Sequence, residues 1–281
     1  EDIKKSFSAR TGIRFNPQSS LMISFNESIS SNINGYSIDI RSTTRDYIGF
    51  GSYLSKGFPF SNWSFRLGGL EKISFIKPYA NSMSIEHSFS GKQNLSWKFN
   101  EEGIMPINLF SISSFENGNN DYLQFSRISR SFSPLIGIST TFKNGISTNL
   151  RSNITHTLDE VANGLTYISD NSILASLTYN FSKGIRFPLP FSERNIYLRN
   201  NMNISLNLDF SNKTEEGSKD KINFVEQNFT NTQKSILRIT YTLTDDITGS
   251  LFYEYRQTDT RLTGRRIDRD FGINLNVAIR G

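Results

Sequence analysis

Between Asn195 and Phe210 the chain alternates apolar and polar side chains with a period of two. Ile196, Leu198, Met202, Ile204, Leu206, Leu208 and Phe210 share one parity, while Asn195, Tyr197, Arg199, Asn201, Asn203, Ser205, Asn207 and Asp209 take the other. Successive side chains of a strand point to opposite faces, so such a segment has one apolar and one polar face. A helix would mix the two sets around its circumference, and the helical reading loses.

The pattern recurs. Leu21, Ile23, Phe25 and Ile29 keep it, as do Ile146, Leu150 and Ile154, then Ile173, Ala175, Leu177, Tyr179 and Phe181. Later runs are Leu237, Ile239, Tyr241 and Leu243, then Ile247, Leu251, Tyr253 and Tyr255, and finally Phe271, Ile273, Leu275, Val277 and Ile279. Weaker candidates lie near 7–15, 36–41, 46–54, 82–89, 94–99, 104–115, 122–132 and 135–142. Many runs reach the ~9–11 residues that a tilted strand needs to cross a bilayer, against ~5–6 in soluble folds. The expected fold is therefore all-β: a transmembrane antiparallel β-barrel of outer-membrane type, or a large piece of one. About 14–16 strands are expected by that spacing, with residues 1–281 forming one barrel region.

The connections predict two ends. Reading back from the C-terminus, 257–268 is long, 244–246 short, 211–233 long, 182–194 medium, 159–171 long and 143–145 short. Long exterior loops and short periplasmic turns alternate in outer-membrane barrels, which puts the C-terminus on the periplasmic side. Asn144-Gly145 and Asn34-Gly35 are hairpin-turn pairs, since both residues tolerate positive φ. The stretch 211–233, with Lys213, Glu215, Glu216, Lys219 and Asp220, reads as a mobile surface loop. Residues 55–80 alternate poorly and carry Pro59 and Pro78. Irregular backbone or short strands are expected there, in the lumen or over one end, because proline removes a ladder donor.

Composition narrows the function. No run approaches the roughly 18 apolar residues of a membrane helix, and there is no Cys for disulfides or thiolate metal sites. Mean hydropathy is negative, as a barrel with a polar lumen allows. A net charge of +5 is scattered, with Arg265-Arg266 among its few basic pairs and no aromatic-plus-basic motif. Nucleic acid is not an expected partner. His87 and His156 are the only histidines and lack metal-ligand spacing. The acid pairs sit in expected turns, no Gly-x-Ser-x-Gly elbow occurs, and Gly49-Phe50-Gly51 lacks a strand–helix context. No enzyme, metal or cofactor is expected. The aromatic side chains of the strands read as interfacial girdles. Arg151, Arg199, Asn201, Asn203, Asp209, Arg238, Glu254 and Arg256 fall on the polar parity and are the candidate lumen-lining residues. Facing water there, the charges cost little.

Pro59-Phe60-Ser61-Asn62-Trp63-Ser64-Phe65-Arg66-Leu67-Gly68-Gly69-Leu70, then Phe132-Ser133-Pro134-Leu135-Ile136-Gly137-Ile138 with Phe142-Lys143-Asn144-Gly145, then Pro188-Leu189-Pro190-Phe191 follow one another along the chain. These three blocks resemble the SprA (Sov) family, the outer-membrane translocon of the type IX secretion system. Pro59, Asn62, Trp63, Gly69 and Leu70 match the first, with His87 and Phe89 as its His-x-aromatic step. Phe132, Pro134, Leu135, Gly137 and Gly145 match a Phe-Ser-Pro-Leu-x-Gly strand and its turn, and Pro188-Leu189-Pro190-Phe191 a late turn. Leu67 stands where the family usually has an aromatic, and the final residues lack a terminal aromatic. The chain opens on Glu1 without a leader-like segment, and a processed or excised segment is the expectation. The resemblance implies a protein-conducting channel in the bacterial outer membrane, of whose large barrel this chain would be the C-terminal portion. Its partners would be membrane lipid, exported protein substrates, a PorV-like shuttle barrel and a plug protein. A stand-alone passive porin and a surface-attached β-sandwich adhesin remain the alternatives.

Overall fold

The computed structural model describes residues 2–34, 37–98, 123–161, 164–181, 185–188, 195–198, 200–244 and 246–278. Among them lie fifteen strands. In chain order these are β1 (Asp2–Asn16), β2 (Ser19–Asn34), β3 (Ser37–Phe50), β4 (Lys56–Pro59) and β5 (Asn62–Gly68). There follow β6 (Ala80–Lys98), β7 (Leu123–Phe142), β8 (Ile146–Val161), β9 (Gly164–Phe181) and β10 (Ile185–Pro188). The last are β11 (Asn195–Leu198), β12 (Met202–Ser218), β13 (Val225–Thr244), β14 (Ile247–Thr260) and β15 (Gly264–Val277). The chain is all-β. Thirteen strands form one barrel-type antiparallel sheet, while β10 and β11 pair only with each other. β1 pairs only with β2 and β15 only with β14 among the described residues, so, apart from the short β4 on the end of β3, they are the sheet's two edges.

Neighbouring strands keep one face apolar over long distances. Leu206 stands opposite Leu177 and Leu237, and the row continues to Tyr253 and Phe271. Leu208, Ala175, Leu150, Ile138 and Ile85 form the next row. Several of these side chains are exposed, Leu150, Leu177, Leu237, Tyr253 and Phe271 among them. The opposite face is rich in Ser, Asn and Thr. It is concave: a hollow of about 660 Å³ is lined by residues from Ser20 of β2 across to Thr178 of β9.

Three expected loops are strands. The stretch 211–233 lies mostly in β12 and β13, leaving only 219–224 between them. β8 runs to Val161, opposite Gly164 at the start of β9, and β14 and β15 are separated by 261–263 alone. The reason is that alternation reports where one face meets an apolar medium, not where the ladder ends. At Asn212, Thr214 and Glu216 the apolar parity turns polar while the backbone pairing continues. The expected single strand Asn195–Phe210 is also divided, with β11 leaving the main sheet and β12 beginning at Met202. Candidates 82–89 and 94–99 merge in β6, and 122–132 and 135–142 merge in β7. The candidate at 104–115 and the turn residue Gly35 lie outside the described residues.

Between β2 and β6 one berth is shared by two strands. The upper part is filled by β3, with Arg45 opposite Glu27 and Gln93. The lower part is filled by β5, with Trp63 opposite Ile23 and Phe89. The pairings β2–β3–β6–β5 therefore close a ring. Between the two strands the chain leaves the sheet as a strap, 47–61, in which β4 pairs with the end of β3. The strap lies over the upper, polar part of the otherwise apolar face. Tyr53 stacks on Phe224 at 3.8 Å and meets Tyr167 edge-on at 5.0 Å. The Arg130 guanidinium donates to the Gly49 carbonyl at 3.3 Å, and Leu54 is 1 % exposed. Residues 55–80 thus hold two short strands, β4 and β5, and a 3-10 turn at 70–72, and another 3-10 turn, 52–54, precedes them.

Candidate functional site

The concave face is the candidate site, and its residues are placed by register alone. Of the expected lumen-lining set, Arg151, Asn203, Asp209, Arg238, Glu254 and Arg256 share this face. Asn201 precedes β12, where its carbonyl accepts the Thr242 N–H at 3.1 Å. Arg199 lies outside the described residues.

Register adds what linear sequence hides. Arg14 of β1 stands opposite Ser20, which stands opposite Arg66, and Arg66 opposite Glu86. Glu86 faces Gly137, and Gly137 faces Arg151. Beyond Leu174, the row continues through Asp209, Lys234 and Arg256 to Asp268 at the far edge. A single row crosses the sheet from β1 to β15, and most of its members are charged. The row toward the 219–224 end carries Ser64, Ser88, Asn153, Ser172 and Ser211 instead.

Within this charged seam the ions pair locally. Glu86 sits 3.7 Å from Arg66 and 3.4 Å from Arg151. Glu254, one row away, reaches Lys234 at 3.0 Å and Arg256 at 3.1 Å. Arg266 pairs with Asp268 at 2.9 Å. Most of these groups are substantially exposed, so each pair contributes only ~0–1 kcal/mol to stability. Asp209 makes no ion pair among the described residues. It lies beside Leu174 and Ile236 in a hollow of about 470 Å³ that Arg151 and Lys234 also line.

The family-motif positions gather elsewhere, on the other face. Trp63 stacks on Phe89 at 4.1 Å, Phe89 meets Phe132 at 5.2 Å, and His87 lies 5.8 Å from Phe132. At this point β6 and β7 lose register: Glu86 pairs with Gly137 but Phe89 with Phe132. The extra residues of β7 hold the cis Ser133-Pro134 peptide and Leu135, whose carbonyl accepts the His87 Nδ1–H at 2.6 Å. Gly137 follows where a Cβ would stand 3.0 Å from Pro134 Cγ. The Phe-Ser-Pro-Leu-x-Gly block is therefore a β-bulge locked to the first block by a histidine. Bulges aim side chains, and here Phe132 is brought against Phe89 and His87 in an aromatic cluster on the apolar face.

Asn62 has a different task. Its Oδ1 accepts the Gly91 N–H at 2.8 Å, in the gap of the β6 ladder between β3 and β5. Pro59 closes β4 opposite Tyr47, Gly69 takes φ +80° before the turn containing Leu70, and Gly145 takes φ +88° in the β7–β8 turn. The third block is described only at Pro188, in β10.

Neither histidine heads a site. His156 bonds to the Tyr167 hydroxyl at 2.7 Å beneath the strap. Among the described residues no three His, Asp or Glu side chains converge as metal ligands do. Compared with known proteins, the chain matches no family model and no curated protein.

Proposed function

We propose that this chain is a stretch of the wall of an outer-membrane protein-conducting channel, of the SprA (Sov) kind. The observation that carries the reading is the two-faced sheet with unpaired edges. On β12 the apolar parity runs from Met202 to Phe210, nine residues at about 3.3 Å each. Tilted by roughly 40°, that spans about the 25 Å of an outer-membrane apolar band. Above Phe210 both faces are polar, as suits strands that leave the bilayer into water. The reading puts this end outside and the C-terminal end in the periplasm.

An unpaired strand edge in lipid leaves N–H and C=O groups without partners, at several kcal/mol each. With the outer edges of β1 and β15 both unpaired among the described residues, the sheet fits best as one arc of a wider barrel. The concave face offers Ser, Asn and Thr, to which an extended polypeptide has little cause to adhere. Exported proteins would be the cargo, and a PorV-like shuttle barrel and a plug protein the partners, by the family resemblance.

The test joins two measurements. The protein should float with lipid vesicles, and cysteines at Ile13 and Ile273 should not form an intrachain disulfide in the assembled membrane form. A water-soluble monomer would favour the adhesin. Efficient disulfide closure would make the chain its own small barrel, a porin. Either result overturns the translocon reading.

A further inference from the structure

We infer that the charged seam is the conduit's ion filter and favours anions, with Asp209 as the residue that moderates the preference. This rests on the proposed channel, and it is carried by the register. Every described strand that spans this level contributes to the row, and the row beside it, whose one charge is Arg266 opposite Thr258, offers no second barrier of comparable density.

The sign follows from counting the row and the two groups that ion-pair into it. Arg14, Arg66, Arg151, Lys234, Arg256 and Arg266 are six cations; Glu86, Asp209, Glu254 and Asp268 are four carboxylates, leaving +2. The excess is not evenly spread. Glu86 lies between Arg66 and Arg151, and Glu254 between Lys234 and Arg256, so each cluster keeps one positive charge. Asp209 stands between the two clusters, opposite Lys234 and next to the Leu174 floor.

Rings of side-chain charge set the selectivity of aqueous pores. In a tilted barrel a hydrogen-bonded row climbs obliquely, so a solute moving along the axis crosses the seam once. Screening confines the effect to solutes within about 8–10 Å of the wall. The same chemistry acts on small anions and on the acidic side chains of an extended polypeptide.

The experiment is the reversal potential of the channel assembled from the full polypeptide, in a planar bilayer under a KCl gradient. The unmodified channel should prefer chloride. Asp209→Asn should increase that preference, and Arg151→Gln with Lys234→Gln should decrease or reverse it. Among the described residues Asp209 has no ion pair to lose, so its nearly isosteric variant tests the inference even where the double variant fails to assemble. Conductance with a reversal potential that none of these changes moves overturns the seam and leaves the channel standing. No conductance from the unmodified protein overturns the channel, and the filter with it.

Discussion

Asp46 and Asn62 stand at the two ends of the break between β3 and β5, each completing a ladder that the backbone leaves open. The Asp46 carboxylate accepts the Asn26 N–H of β2 at 2.7 Å, and Asn62 Oδ1 accepts the Gly91 N–H of β6 at 2.8 Å. Asp46 is 2 % exposed, so neither water nor a neighbouring strand replaces it. Losing one such acceptor leaves a part-buried backbone donor without its partner, at about 1–3 kcal/mol. Asp46→Ala and Asn62→Ala should each lower stability by that amount in urea denaturation, while Asn62→Asp, which keeps the oxygen, should change little. A neutral Asn62→Ala would contradict the ladder role.

Gly91 is the next weak point. A Cβ there would overlap the Tyr47 carbonyl oxygen, a backbone atom that cannot swing aside. Gly91→Ala should displace the strap and cost about 1–3 kcal/mol as an overpacking substitution. Limited proteolysis should then cut within 47–61 faster than in the unmodified protein. An unchanged cleavage rate would mean that the strap is held without this close approach.

Leu206 and Asn207 are adjacent in sequence and lie on opposite faces of β12. Arginine on a lipid-facing position near the bilayer midplane costs about 2–4 kcal/mol, whereas a lumen position tolerates it. Leu206→Arg should impair assembly into vesicles, and Asn207→Arg should not. Equal effects would remove the distinction between the two faces.

The Asp220 carboxylate organises the turn between β12 and β13. It accepts N–H bonds from Ile222 at 3.0 Å and Asn223 at 2.8 Å, and the Ser218 hydroxyl at 2.8 Å. These bonds hold its pKa well below the usual carboxylate range, the Asn223 N–H contributing most. A depressed folded value means stabilisation present above the unfolded pKa and lost only as pH falls through the lower one. Amide protection at Ile222 and Asn223 should persist from pH 7 to pH 4 and vanish in Asp220→Ala. Loss of protection already at pH 4 would contradict the assignment.

Ile204 and Leu206 declare their face in the sequence, because the residues between them are polar. Lys213 and Glu215 do not. Both parities are polar there, and only the backbone ladder marks the strand. The seam is hidden for another reason. Arg14 and Asp268 share a row through a chain of pairings that no linear spacing expresses. Arg151 and Asp209 are legible as polar-parity charges, yet their common row requires register. Asn62 and Gly137 are visible as motif residues. Their physical tasks, an acceptor in a ladder gap and a close approach at a bulge, depend on strands that meet only in the folded sheet.

The berth shared by β3 and β5 carries a consequence for how this chain can vary. Both strands run antiparallel to β2 and β6, so the chain re-enters the sheet heading the way it left. An excursion of this kind adds residues without exchanging top for bottom. A peptide tag spliced near Lys56 would lengthen the detour and leave every later turn on its original side.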